Sequence, residues 1–169
     1  MKVEELEKFA NTIGLLIKIQ VRETLGLCFF KIVIAEQKNN IIKIWGEMKG
    51  WTFLNKQGIQ LDTLRILSSS PPFVKDLIWA SAMAWAIEKK NSNNARLLAI
   101  YDNEGYSKKL VRYFKIIGFK TVKEVGSSPR DLFLRLVWGG AGTLMKGDCF
   151  HILNKIEQKL SSIDKPQPA

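Results

Sequence analysis

The segment IIKIWGEMKGW, Ile41 to Trp51, carries a carboxylate placed for proton transfer. Read as a strand, it alternates its side chains, so Trp45, Glu47 and Lys49 share one face while Gly46, Met48 and Gly50 share the other. A carboxylate beside an aromatic wall can accept a proton, which is general-base chemistry. The alternative is an exposed hairpin carboxylate with no task. Asp62 lies on the next β-prone run. Asp102 and Glu104 follow the short strand ARLLAIY; they stand where open α/β sheets place ligands, or they cap the next helix. Lys108, Arg112 and Lys115 recur at helical spacing on one face, which suits phosphate contact or simple solvation. Trp79 and Trp85 read as core, whereas Trp45, Trp51 and Trp138 can line a groove for an acyl chain, a base or a partner protein.

Other chemistry lacks material. His151 is the single histidine, and Cys28 and Cys149 lie far apart without metal-type spacing, so neither a histidine triad nor a metal site is expected. Cys28, in an apolar strand, reads as core. Two distant cysteines speak against a disulfide framework and fit a reducing cytoplasm. Met1 to Ala10 is charged and has no apolar signal core. The longest apolar run, Leu77 to Ile87, is too short for a transmembrane segment. The formal charge of +10 on 169 residues favours anionic partners such as nucleic acid, a ribosome, a membrane surface or a polyanionic cofactor. The basic residues are scattered rather than blocked. Oligomeric state is left open.

These groups need a scaffold. Val3 to Arg22 reads as a helix, with Leu6, Phe9, Ala10, Ile13 and Ile17 on one stripe and Glu4, Glu5 and Glu7 near its start, where carboxylates suit the dipole. LCFFKIVIAE, IIKIWGEMKGW and IQLDTLRIL read as three antiparallel strands joined by short turns. SSSPP ends the third strand and opens a helix, with a serine cap and Pro71 near the first helical position. Phe73 to Lys90 is apolar on nearly all sides and so is buried on several. Ala95 to Tyr101 is a short buried strand. Ser107 to Ile117 is an amphipathic helix with Leu110, Val111, Phe114 and Ile117 inward, stopped by Gly118. FKTVKEV and LFLRLVW read as two further strands, GGAG as a corner, and Cys149 to Leu160 as a last helix. One domain spans residues 1–162, with a disordered tail over 163–169. The economical packing is a mixed, mostly antiparallel sheet with helices on both faces and an added C-terminal helix, an α/β fold.

This order, together with RLLAIYDN and LVRYFKIIGFKTVKEV, resembles the GNAT superfamily of acyl-CoA-dependent N-acyltransferases. The resemblance covers about Phe29 to Trp138, and Gly46 falls where that family often carries a glycine. It implies transfer of an acetyl or other acyl group from acyl-CoA to an amine acceptor, with Glu47 as the base. It also implies a diphosphate loop at the helix entry, where backbone N–H groups meet the carrier. The family's loop pattern falls on Ser69, Pro72 and Val74, without either of its glycines. Pro71 and Pro72 offer no N–H, which leaves Ser68, Ser69, Ser70, Phe73, Val74 and Lys75 as possible donors. Ser107 stands where the family often has an asparagine. Phe114 stands where it has a tyrosine acid, and Tyr113 is turned about 100° from that position. The resemblance thus leaves two expectations: an acyltransferase with weak or altered chemistry, or a non-catalytic GNAT-fold module that binds a polyanion, nucleic acid, a ribosome or a protein.

Overall fold

The computed structural model describes residues 1–53, 58–100 and 106–163, without the side chains of 106, 107, 162 and 163. Helix α1 is Val3–Thr12, followed by strands β1 (Leu16–Thr24), β2 (Leu27–Lys38), β3 (Ile41–Phe53) and β4 (Ile59–Ile66). Then come α2 (Phe73–Lys90), β5 (Asn94–Ile100), α3 (Tyr106–Ile117) and β6 (Lys120–Val125). A short 3-10 turn at Pro129–Asp131 leads into α4 (Leu132–Trp138), β7 (Gly142–Asp148) and α5 (Cys149–Ile163). The strands form one sheet in the order β1-β2-β3-β4-β5-β7-β6. All neighbours are antiparallel except β4 and β5, which α2 connects as a crossover.

Alternation on the strands sorts the molecule into two layers of helices. Cys28, Phe30, Ile32 and Ile34 of β2, with Leu97 of β5 and Met145 of β7, enter one core with α1, α2, α3 and α5. Leu98 and Leu144, on the opposite face of those last two strands, pack with Val125 and with Leu134, Val137 and Trp138 of α4. Over β1 to β3, the face away from the main core keeps Lys18, Gln20, Arg22 and Phe29 exposed. This open face matters below.

Three assignments change. Residues 16–24 form an edge strand, not the second half of a helix, because Gly14 (φ +76°) ends α1 and Leu16–Thr24 pairs along its whole length with β2. LFLRLVW is the helix α4, closed by Gly139 at φ +76°. The last strand is instead GTLMKGD, which inserts between β5 and β6. The serine cap is also absent: the residue before α2 is Pro72, with helical backbone angles and no side-chain cap bond. On α3, Phe114 and Ile117 are buried and Val111 half-buried, but Leu110 is exposed. Ile163 ends α5, and the rest of the expected tail lies outside the described residues.

Candidate functional site

The only parallel pair in the sheet is where an opening forms. β4 and β5 share three register positions, Ile59 with Ala95, Gln60 with Arg96 and Leu61 with Leu97. Past Leu61 and Leu97 they stop pairing, although β4 continues to Ile66 and β5 to Ile100. The gap between them is not empty. Trp79 from α2 and Phe114 from α3 reach into it beside Leu64 and Leu97, and a cavity of about 50 Å³ remains. Ligand pockets run to roughly 300–1,000 Å³, so this one is far smaller than a pocket that would enclose an acyl-carrier arm.

Side chains from both helices seal the approach. Trp79 Nε1–H donates to the Tyr113 hydroxyl at 2.9 Å. The rings of Trp79, Phe114 and Phe119 stand 5.5 to 6.1 Å apart by centroid, within range of attractive aromatic contact. Lys75, in the first turn of α2, lies 5.0 Å over the Tyr113 ring. Burial pushes the Tyr113 phenol up to about 12, so it keeps its proton at neutral pH while its oxygen accepts from Trp79. Tyr113 and Phe114 thus both meet Trp79 of α2, although their helical offset of about 100° suggested that they would face apart.

The helix entry is where the resemblance puts the diphosphate of an acyl-CoA. Ser70 N–H is spent on Leu67 O at 3.0 Å, and Val74 N–H on Pro71 O at 3.1 Å. Val74's side chain is fully buried, and Phe73 is half-buried. Ser68 and Ser69 are exposed, so their hydroxyls remain as donors, with the Phe73 and Lys75 amides. Asp76 adds a carboxylate to the first turn of α2, where Lys159 pairs with it at 3.5 Å. The Ser107 side chain, Asp102 and Glu104 lie outside the described residues. Among the described residues, the entry thus fits an acyl-CoA diphosphate poorly, since Pro71 and Pro72 have no N–H and those of Ser70 and Val74 are spent, and Trp79 and Phe114 line a gap of only about 50 Å³.

Glu47 lies on the open face, among cations rather than beside the expected aromatic wall. Its Oε2 is 2.8 Å from Lys31 Nζ, and its Oε1 is 3.5 Å from Lys49 Nζ and 4.0 Å from Arg65 Nη1. The Lys31 hydrogen bond, outweighing partial desolvation, holds the Glu47 carboxyl below its ordinary range. Trp45 departs from the simple alternation because a register shift in β2–β3 falls beside it. It joins the main core, donates to Glu36 Oε2 at 3.1 Å and carries Lys43 over its ring. Asp62 is exposed and accepts from the Thr63 hydroxyl at 2.9 Å. Trp51 and Trp138 approach each other, with centroids 6.1 Å apart. Lys108, Arg112 and Lys115 are all exposed on α3. His151 is exposed, and its backbone N–H donates to Asp148 at 2.8 Å. Cys28 and Cys149 are both buried, and no group of His, Cys, Asp and Glu among the described residues could hold a metal.

Sequence reasoning missed a hollow on the open face. A groove of about 520 Å³ crosses the open face of β1 to β4, lined by Arg22, Phe29, Lys31, Lys49, Gly50 and Trp51 among others. The signal was the alternation KIQVR in residues 18–22, hidden by the helical reading of that segment.

Sheet order and crossover are those of the GNAT acyltransferase fold, and the chain has that fold. Solved structures similar to it include a variant of the spermidine N-acetyltransferase SpeG of Vibrio cholerae (TM-score 0.52, 14% identity, 75% of this chain and 68% of that one). FdhC, a nucleotide-linked sugar GNAT, gives a TM-score of 0.54 at 5% identity over 79% of this chain and 64% of that one. Nourseothricin acetyltransferase gives 0.50 at 11% identity over 80% and 88%. No protein-family model and no curated protein matches the sequence. No helix among the described residues is long and apolar enough to cross a membrane.

Proposed function

We propose that this chain is a non-catalytic module on the GNAT fold that holds a polyanion, nucleic acid foremost, on its open sheet face. The observation that carries the reading is the filled gap: Trp79 and Phe114 occupy the space between β4 and β5 and leave about 50 Å³. The second support is charge. Lys18, Arg22, Lys31, Lys49 and Arg65 share the open face of β1 to β4, and Lys31, Lys49 and Arg65 divide a single carboxylate, Glu47. A cationic surplus of this kind attracts phosphate chains and releases their counterions on binding.

The catalytic reading rests on the fold and on its neighbours, which are N-acetyltransferases; a fold alone does not set function. It keeps Glu47 as base toward an amine acceptor, with Ser68, Ser69, Ser70, Phe73, Val74 and Ser107 as carrier contacts. It requires Trp79 and Phe114 to leave the gap, and a base whose proton affinity Lys31 and Lys49 have lowered.

One paired experiment separates the two. The purified chain is titrated with acetyl-CoA and, separately, with polyuridylate and heparin at low salt, following melting temperature and heat of binding. The module reading expects no shift with acetyl-CoA, no acetyl-CoA hydrolysis with mixed amines, and polyanion binding that weakens steeply as salt rises. Saturable acetyl-CoA binding, or indifference to both polyanions, overturns it.

A further inference from the structure

We infer that the groove on the open face takes single-stranded nucleic acid, with bases stacked on Phe29 and Trp51 and phosphates held by Arg22, Lys31 and Lys49. This rests on the polyanion reading above and names the ligand. Strand register does the placing. Arg22 stands opposite Phe29, and Phe29 opposite Trp51, so one row across β1, β2 and β3 holds a cation and two aromatic rings. The next row on the same face is Gln20, Lys31 and Lys49. Two residues along a strand span about 6.6 Å, so a ring-bearing track and a cationic track run side by side. A single strand offers those two tracks, bases along one side and phosphates along the other.

The groove's shape has a cause in the sequence. A register shift between Lys49 and Gly50, with Asp62 as the extra residue on β4, breaks the regular ladder. Such bulges bend a strand and increase its twist. Gly50 is required there, since a Cβ would stand 2.3 Å from the Gln60 carbonyl oxygen. The sheet surface thus becomes a hollow of about 520 Å³.

The rings select the ligand. Phe29 is the third residue of β2, on the sheet face away from the main core, and is 44% exposed. Exposed aromatic surface bordered by cations suits flat, anionic partners. A duplex keeps its bases stacked on one another and presents only its backbone to a sheet face, whereas a single strand can lay bases on side-chain rings. An apolar protein partner would gain nothing from the three cations.

The test uses the full chain with a fluorescein-labelled 12-mer of uridine, the corresponding blunt duplex, and heparin, each over a range of salt. The single strand is expected to bind at least tenfold tighter than the duplex. Phe29→Ala lowers single-strand affinity about tenfold and leaves heparin affinity unchanged, while Phe29→Tyr restores it. Arg22→Ala weakens all three ligands and reduces the salt slope by about one. Lys8→Ala, on α1, changes none. Melting curves of each variant show that the fold is kept. Equal binding of single strand and duplex, or a Phe29→Ala variant that binds the single strand like the parent, overturns the inference and leaves the polyanion reading standing. Heparin binding without oligonucleotide binding overturns it as well. Failure of all three ligands at low salt overturns both.

Discussion

Tyr113 shows how one hydroxyl can be structural where proton donation was the family expectation. It receives the Trp79 N–H at 2.9 Å, and Trp79 is 2% exposed. Tyr113→Phe strands a buried donor and is expected to cost about 1–3 kcal/mol in urea unfolding. The same residue predicts a pH effect. Burial raises the folded-state phenol from 10.0 to about 12, and raises the Cys149 thiol from 9.0 to about 12. Both groups ionise more readily in the unfolded chain. Their contribution to stability is therefore intact below pH 9 to 10 and is lost as pH rises toward 12. Unfolding free energy measured from pH 8 to 12 should fall along this window, with a shallower slope in Tyr113→Phe and a remainder due to Cys149. Glu47 has the opposite sign, since its carboxyl is held below its ordinary range and its share of stability disappears as pH falls through that lowered value. Glu47→Gln is expected to cost no more than about 1 kcal/mol, as its partners are largely exposed. It should also strengthen polyanion binding severalfold, because three cations lose their shared counter-charge. Unchanged or weaker oligonucleotide affinity in Glu47→Gln would count against the open face as the binding surface.

At the scale of elements, two glycines set how closely layers and strands approach, and their contacts rank the consequences. A Cβ on Gly46 would meet Ile78 Cδ1 of α2 at 2.7 Å, the tip of a side chain that can shift. A Cβ on Gly50 would meet the Gln60 carbonyl oxygen at 2.3 Å, and backbone cannot step aside without breaking the ladder. Gly46→Ala should cost about 1–3 kcal/mol and Gly50→Ala more; the reverse order in chemical denaturation would contradict the packing described. The same scale shows what was legible in the sequence. β2, β3, β4, α2, β5, α3, β6 and α5 followed from periodicity and turn residues, because each is long or bounded by Gly, Pro or Asn. Residues 16–24 misled because Ile13 and Ile17 continue the stripe of Leu6, Phe9 and Ala10 at helical spacing, while Gly14 between them breaks the helix. LFLRLVW is a seven-residue apolar run, a length at which strand and helix look alike. GTLMKGD was passed over since its two glycines and lysine dilute the β signal, although pairing on both sides holds it in place. Glu47's cationic neighbours were beyond reach: Lys31 and Arg65 meet it only through the register of three strands.

For the whole molecule, the charge of +10 acts on folding and on binding with opposite salt dependence. Like charges repel most in the compact state, and salt screens that repulsion over a Debye length of about 10 Å at 0.1 M. Ion pairs pull the other way, but those among the described residues keep at least partial contact with solvent, from Lys8–Glu4, exposed on both sides, to the half-buried Lys31–Glu47, and surface pairs are worth about 0–1 kcal/mol each. Screening of the surplus should therefore win. The free chain's melting temperature is expected to rise by a few degrees between about 20 and 200 mM monovalent salt. Binding of a polyanion must do the reverse, since each phosphate neutralised releases a counterion and salt opposes that release. Melting curves with and without oligouridylate should accordingly lie far apart at low salt, with the complex higher, and converge as salt increases. A free chain that melts lower in added salt would mean that attractive pairs dominate its electrostatics. A gap between the two curves that does not close would place the ligand on contacts other than phosphate. Convergence is thus the outcome that the proposed binding of phosphate on the outer sheet face requires.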